Sequence, residues 1–241
     1  MSANSIDPVI VLVHGAFAES ASWNGVVERL SARGLTSIAV ANPLRDLAGD
    51  AAYVRDVVTS LDRPVVLAGH SYGGQVITQA AAGDANVKAL VYVSAFAPDT
   101  GESALELSGK FEGSTLGAAV SSRPLSAGGA ELSIQVDRFA GQFAADVDPA
   151  VAALMAVTQR PVAERALAAG LTGEPAWRSV PSWFVWGAAD RNIPAAALRF
   201  MGERAGGKQL VEIPDAGHAL TVSQPAAVAQ SILDAVAHLK N

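Results

Sequence analysis

Six short apolar runs rich in β-branched residues recur along the chain, separated by longer stretches whose apolar residues fall at helical spacing. Pro8–His14 (PVIVLVH), Thr36–Ala41 (TSIAVA), Val65–Gly69 (VVLAG), Ala89–Ser94 (ALVYVS), Ser182–Gly187 (SWFVWG) and Gln209–Ile213 (QLVEI) read as strands. Ser22–Ala32, Asp46–Leu61, Gly73–Ala82, Pro194–Ala205 and Gln224–Lys240 read as helices; in the last, Val228, Ile232, Val236 and Leu239 mark one face. Strands that are apolar almost throughout need cover on both faces, and a helix after each strand supplies both the cover and the crossover to a parallel neighbour. The expected fold is therefore α/β, a mostly parallel six-stranded sheet flanked by helices. Each strand runs into small, polar or turn-forming residues, and the loops at the carboxyl ends of such a sheet are where ligands bind.

The alternation breaks once. Between Pro98 and about Val180 no convincing apolar strand appears, while Gly, Ala, Ser and Pro are frequent. A structureless connection of that length is improbable in a compact domain. Residues 98–180 are expected to form a small helical cap inserted after the fourth strand, with 1–97 and 181–241 as the core. Its predicted helices are Gln135–Ala144, Pro149–Thr158 and Pro161–Ala169, the last two opening on a proline. Gly113–Ala130 is the stretch expected to be most mobile.

The 241 residues suffice for one sizeable core. A net charge of -6, with Lys and Arg scattered, gives no footprint for nucleic acid. The N-terminal MSANSIDP lacks a basic region followed by an apolar run, and no later stretch is apolar enough to span a bilayer. A cytoplasmic protein with no membrane partner is the expectation, and its oligomeric state is unreadable. With no cysteine, nucleophilic chemistry falls to serine, threonine, carboxylate or histidine.

The third predicted strand continues into LAGHSYGG (Leu67–Gly74) and then a helix. Gly-x-Ser-x-Gly alone is a common pattern in a glycine-rich chain, but between a buried strand and a helix it forms a tight turn with Ser71 at its strained apex. A serine hydroxyl needs a base, and the base needs a group that holds its tautomer. Of four histidines, His14 ends the first strand, His70 faces away across the turn and His238 sits in the last helical turn. His218, in DAGHALTVSQP between the last strand and the last helix, remains as the base. Asp190, in WGAADRNIP after the fifth strand, is placed to be the acid in the chain order Ser…Asp…His. Asp99 after the fourth strand competes with it; Asp215 lies too close in sequence to His218. Main-chain N–H groups of Ala16, in the HGA loop, and Tyr72, after the serine, are the expected oxyanion donors. The histidines show no metal-type spacing and no phosphate loop with a lysine follows a strand, so neither metal nor cofactor is implied.

Five stretches together, VLVHGAFAESASW (Val11–Trp23), LAGHSYGG (Leu67–Gly74), YVSAFAPD (Tyr92–Asp99), WGAADRNIP (Trp186–Pro194) and DAGHALTVSQP (Asp215–Pro225), resemble the α/β-hydrolases. The resemblance covers nearly the whole chain. It is to the compact, cap-bearing group that holds plant methylesterases, hydroxynitrile lyases and many bacterial esterases. It implies Ser71 as nucleophile, His218 as base, Asp190 as its orienter, and a sheet without the two N-terminal strands of larger members. Lyases of this group carry a Thr after the first-strand histidine and a Lys after the catalytic histidine; Gly15 and Ala219 stand there instead. Ester hydrolysis is thus favoured over cyanogenic cleavage. A serine at the elbow also disfavours haloalkane dehalogenation, which uses Asp.

The substrate-facing residues expected from loop and cap positions are Phe17, Tyr72, Phe96, Phe139, Phe143, Met155, Trp177 and Leu220, a mainly apolar set suited to a small hydrophobic ester. A lactonase, perhydrolase or C–C bond hydrolase would use the same triad, and a non-catalytic binder of a small ligand is the reading from another class.

Overall fold

The computed structural model describes residues 7–240. Residues 1–6, where the predicted core and the MSANSIDP segment begin, and residue 241 lie outside the described residues. Nine strands are described: β1 (Val9–Val13), β2 (Ser37–Val40), β3 (Val65–His70), β4 (Val87–Val93), β5 (Val120–Pro124), β6 (Ala130–Ile134), β7 (Val162–Ala163), β8 (Ser182–Gly187) and β9 (Gln209–Ile213). The helices are α1 (Asn24–Ser31), α2 (Leu47–Thr59), α3 (Tyr72–Ala80), α4 (Ala104–Gly109), α5 (Val136–Phe143), α6 (Pro149–Thr158), α7 (Glu164–Ala168), α8 (Ala195–Arg204), α9 (Leu220–Ser223) and α10 (Pro225–His238), with three short 3₁₀ turns.

Six strands form one sheet in the order β2-β1-β3-β4-β8-β9, and every pairing in it is parallel. β1, β3 and β8 are buried along their whole lengths, as strands covered on both faces must be. The pleat sends alternate side chains to opposite sides. Val9, Val11 and Val13 enter a core with residues of α2 and α3, while Ile10 and Leu12 join Val26, Leu30, Val228 and Ile232 of α1 and α10. Local chemistry fixes the helix starts. The Asp46 carboxylate accepts the Gly49 N–H at 2.8 Å to cap α2, and Ser103 with Glu106 forms a reciprocal capping box on α4.

The segment between β4 and β8 differs from the purely helical expectation. It holds α4 to α7 and also a separate three-stranded antiparallel sheet, β5-β6-β7. Hydropathy cannot reveal β5: four of its five residues are exposed, so it has no apolar period. Pro161–Ala169, read as one helix, is instead β7 followed by the five-residue α7; Val162 pairs with Leu132 in the small sheet. Glu131 of β6 receives the guanidinium groups of Arg45 and Arg123, which ties this sheet to the loop before α2. Among the described residues no helix is long and apolar enough to cross a membrane.

Candidate active site

β3 ends at His70 and α3 begins at Tyr72, leaving Ser71 alone to make the turn. Its φ is 55° and ψ is -123°, a conformation a non-glycine residue holds only when its surroundings enforce it. The enforcement is visible as close approach. A Cβ on Gly69 would lie 2.5 Å from the Gly73 oxygen, and one on Gly73 would lie 2.3 Å from the Val13 oxygen. Strand and helix can meet across this turn only because both positions lack side chains.

The loop after β1 presses on the same turn: a Cβ on Gly15 would stand 2.6 Å from the Ser71 Cβ and 3.1 Å from the Tyr72 nitrogen. Among the described residues, neither the Ala16 nor the Tyr72 N–H donates to a protein acceptor. Phe17, next along, has φ 61° and donates its N–H to the Arg160 oxygen at 3.1 Å.

His218 precedes α9, and its Nδ1–H donates to Asp190 Oδ2 at 2.7 Å. Both side chains are essentially without solvent contact, at 1% and 0% exposure. The other Asp190 oxygen accepts the N–H groups of Asn192 (2.8 Å) and Ile193 (2.9 Å), an arrangement that holds a carboxylate in one orientation. Nε2 of His218 is buried and has no hydrogen-bond partner among the described residues. An imidazole anchored through Nδ1 with a free Nε2 can accept a proton from a hydroxyl beside it. Asp99, the competing acid, turns away and pairs with the Arg178 guanidinium at 2.8 and 2.7 Å.

Burial lowers the pKa of His70 to about 3, with the neighbouring His218 adding to the effect, and burial also lowers that of His14. The Tyr72 hydroxyl donates to Asp50 Oδ2 at 3.0 Å; burial first, and then the Asp50 charge, raise the phenol's pKa. Burial likewise raises the pKa of Asp50.

Beside Ser71 lies an apolar cavity. Ala16, Phe17, Tyr72 and Phe96 line it from the core; Leu105, Leu116, Val120, Leu132 and Leu167 line it from the segment between β4 and β8; Asn192 and Ile193 come from the turn after Asp190. No lining side chain is charged. Five of the residues expected to face substrate stand elsewhere. Phe139 and Phe143 are buried behind His218, with the Phe143 ring edge-on to the imidazole at 5.0 Å. Met155 lines an outer groove along α6. Trp177 lies at another surface depression and donates its indole N–H to the Pro98 oxygen at 2.9 Å. Leu220 packs in the α1–α10 core on the far side of the sheet. Aromatic or apolar character marks these residues as buried but carries no information about which interior they fill. The insertion's aliphatic contribution was hard to read because Val120 sits in a strand without apolar alternation, and Leu132 in a strand, AELSI, whose alternation spans only five residues. Among the described residues no group of His, Asp and Glu gathers into a metal-ligand set.

The fold is shared with several solved structures. Polyneuridine aldehyde esterase superposes with a TM-score of 0.81 at 22% identity, over 95% of this chain and 98% of that one. A methylesterase from Arabidopsis gives 0.80 at 19% identity, covering 96% and 99%. A pyrethroid hydrolase from Sphingobium faniae gives 0.75 at 20% identity, covering 95% and 97%. No curated protein sequence matches the chain. The profile of the Alpha/beta hydrolase family matches residues 10–231, and the chain belongs to that family.

Proposed function

We propose that this protein is a serine hydrolase that cleaves a small, mainly hydrophobic carboxylic ester through an acyl-enzyme. The observation that carries the proposal is the buried His218–Asp190 pair with Nε2 unengaged, set at the same sheet edge as a strained Ser71 and two unused main-chain N–H groups. Ser71 Oγ attacks the ester carbonyl carbon while its proton passes to His218 Nε2. The carbonyl oxygen takes the electron pair and faces the N–H groups of Ala16 and Tyr72. Collapse of this intermediate breaks the bond to the alkoxy group, which leaves as the alcohol with the proton from His218. Water then attacks the acyl-Ser71 ester by the same route and releases the acid.

Asp190 orients His218 and stabilises the imidazolium as it forms. Residues 98–180 act as the cap, supplying the apolar wall from Leu105 to Leu167, and the uncharged lining selects a neutral substrate. That three similar structures bear the names of an aldehyde esterase, a methylesterase and a pyrethroid hydrolase agrees with this reading.

Hydrolysis of p-nitrophenyl butyrate by the wild type and Ser71→Ala tests it. The variant should lose activity by about 10⁴-fold or more and stop reacting with a fluorophosphonate, with its melting temperature retained. Undiminished turnover by Ser71→Ala would overturn the assignment.

A further inference from the structure

Gln142 and Phe143 close α5, and each reaches a different loop of the site. The Gln142 side chain is buried, and both ends of its amide are engaged. Nε2 donates to the Arg191 oxygen at 2.9 Å and to Asn192 Oδ1 at 2.7 Å, while Oε1 accepts the Thr115 hydroxyl at 2.8 Å. Arg191 and Asn192 follow Asp190 directly, and the Asn192 N–H is one of the two that hold Asp190 Oδ1. The same turn shares three further bonds with this region of the insertion. The Thr115 N–H donates to the Arg191 oxygen (3.0 Å), the Ser114 hydroxyl to the Asn192 oxygen (2.9 Å), and the Arg191 guanidinium donates to the Gly141 oxygen (3.0 Å). One residue on, the Phe143 oxygen accepts the Ala219 N–H at 3.1 Å, beside His218, and the Phe143 ring covers the imidazole edge-on.

We infer that Gln142 is a positioning residue for the acid: it fixes the 190–193 turn, so that α5 sets the alignment of Asp190 with His218. Phe143 anchors the His218 side from the same helical turn, and the two loops are thereby referenced to one rigid element. The inference rests on the reading of Ser71, His218 and Asp190 as a hydrolytic triad. Gln142 does not line the cavity, so its influence on catalysis passes through the turn and not through substrate contact. Misplacement of a catalytic group by about 1 Å can cost up to ~10²-fold in rate.

A double-mutant cycle on p-nitrophenyl butyrate, with rates per active site titrated by fluorophosphonate, tests it. Gln142→Met, which keeps the volume and removes the amide, should lower kcat about tenfold with KM within about twofold, and should lower kcat less than about twofold when added to Asp190→Asn. An equal loss in both backgrounds, or none in the wild type, would overturn the inference while leaving the triad intact. Should Gln142→Met fail to fold, as its melting curve would reveal, Gln142→Asn, one methylene shorter, takes its place in the cycle with the same outcomes. If Asp190→Asn alone keeps wild-type kcat, the triad reading fails, and the inference falls with it.

Discussion

Nε2 of His70 lies 2.9 Å from the main-chain oxygen of His218, and the two imidazole rings are 4.8 Å apart. His70, which precedes Ser71, is thus bonded to the backbone of His218. A carbonyl only accepts, so His70 carries its proton on Nε2, and its buried Nδ1 has no partner among the described residues. Burial, with His218 and His14 close by, lowers its pKa from 6.5 to about 3. The unfolded chain therefore binds a proton at His70 below about pH 6.5 that the folded chain refuses until about pH 3. Stability rises with pH across that window, and it is lost as pH falls, by up to about 1.4 kcal/mol per unit from this group. His14, whose pKa burial also lowers, acts in the same direction. Urea unfolding at pH 7 and pH 5 should show a smaller loss for His70→Asn than for the wild type, by about 1–2 kcal/mol. Parallel losses would show that His70 is not kept neutral by the fold.

In the proposed mechanism the main-chain N–H of Tyr72 faces the carbonyl oxygen, whereas its side chain points down to Asp50 between α3 and α2. Tyr72→Phe keeps the ring in the core and removes one donor from a buried carboxylate that retains only the Arg45 N–H and its own helix-start amide nearby. The cost should be about 1–3 kcal/mol of stability, with kcat and KM for the butyrate ester changed less than about threefold. A large fall in kcat at unchanged stability would place the hydroxyl in the chemistry.

Legibility followed local pattern. β8 and β9 match their predicted runs residue for residue, the first apolar and buried throughout and the second alternating half-buried with exposed residues, and α6 matches between Pro149 and Thr158, where a proline marks its first turn. The placement of Ser71, Asp190 and His218 at the carboxyl ends of strands of one sheet was legible because each sits in a short loop after a recognisable strand. The three-stranded sheet was not: Ser121, Ser122 and Arg123 are solvated, and β7 is two residues long. Gln142 was invisible for a different reason. A glutamine on an amphipathic helix reads as solvated, and only the packing of α5 on the 190–193 turn buries it.

Asp99 and Asp190 both follow strands of the same sheet, yet only Asp190 meets an imidazole. The Asp99–Arg178 pair has 28% and 45% of its side chains exposed, a setting in which ion pairs contribute about 0–1 kcal/mol. Asp99→Asn should therefore change stability by less than about 1 kcal/mol and kcat by less than about twofold. Asp190→Asn should lower kcat on the order of 10³–10⁴-fold through the wrong imidazole tautomer, with KM preserved. Steady-state kinetics on the two variants decide between the acids, and a larger loss in Asp99→Asn would reverse the assignment.

Phe17 stands between two spaces: the cavity beside Ser71 and the outer groove along α6 that Val151, Leu154 and Met155 line. Its side chain is 3% exposed, so it separates them as a wall. Leu154 and Val151 are exposed on the groove side, which leaves an apolar path for a chain too long for the inner cavity. Phe17→Ala keeps the N–H bond to Arg160, and alanine faces the same positive φ as phenylalanine, so the backbone beside Ala16 should hold its course. Each methylene that finds apolar contact contributes up to about 0.8 kcal/mol. Across p-nitrophenyl acetate, butyrate and octanoate, kcat/KM for octanoate relative to acetate should rise about tenfold or more in Phe17→Ala, since two or more methylenes gain cover in the joined space. An unchanged chain-length profile in a folded variant would mean that the wall lies elsewhere, and that the outer groove takes no part in holding the substrate.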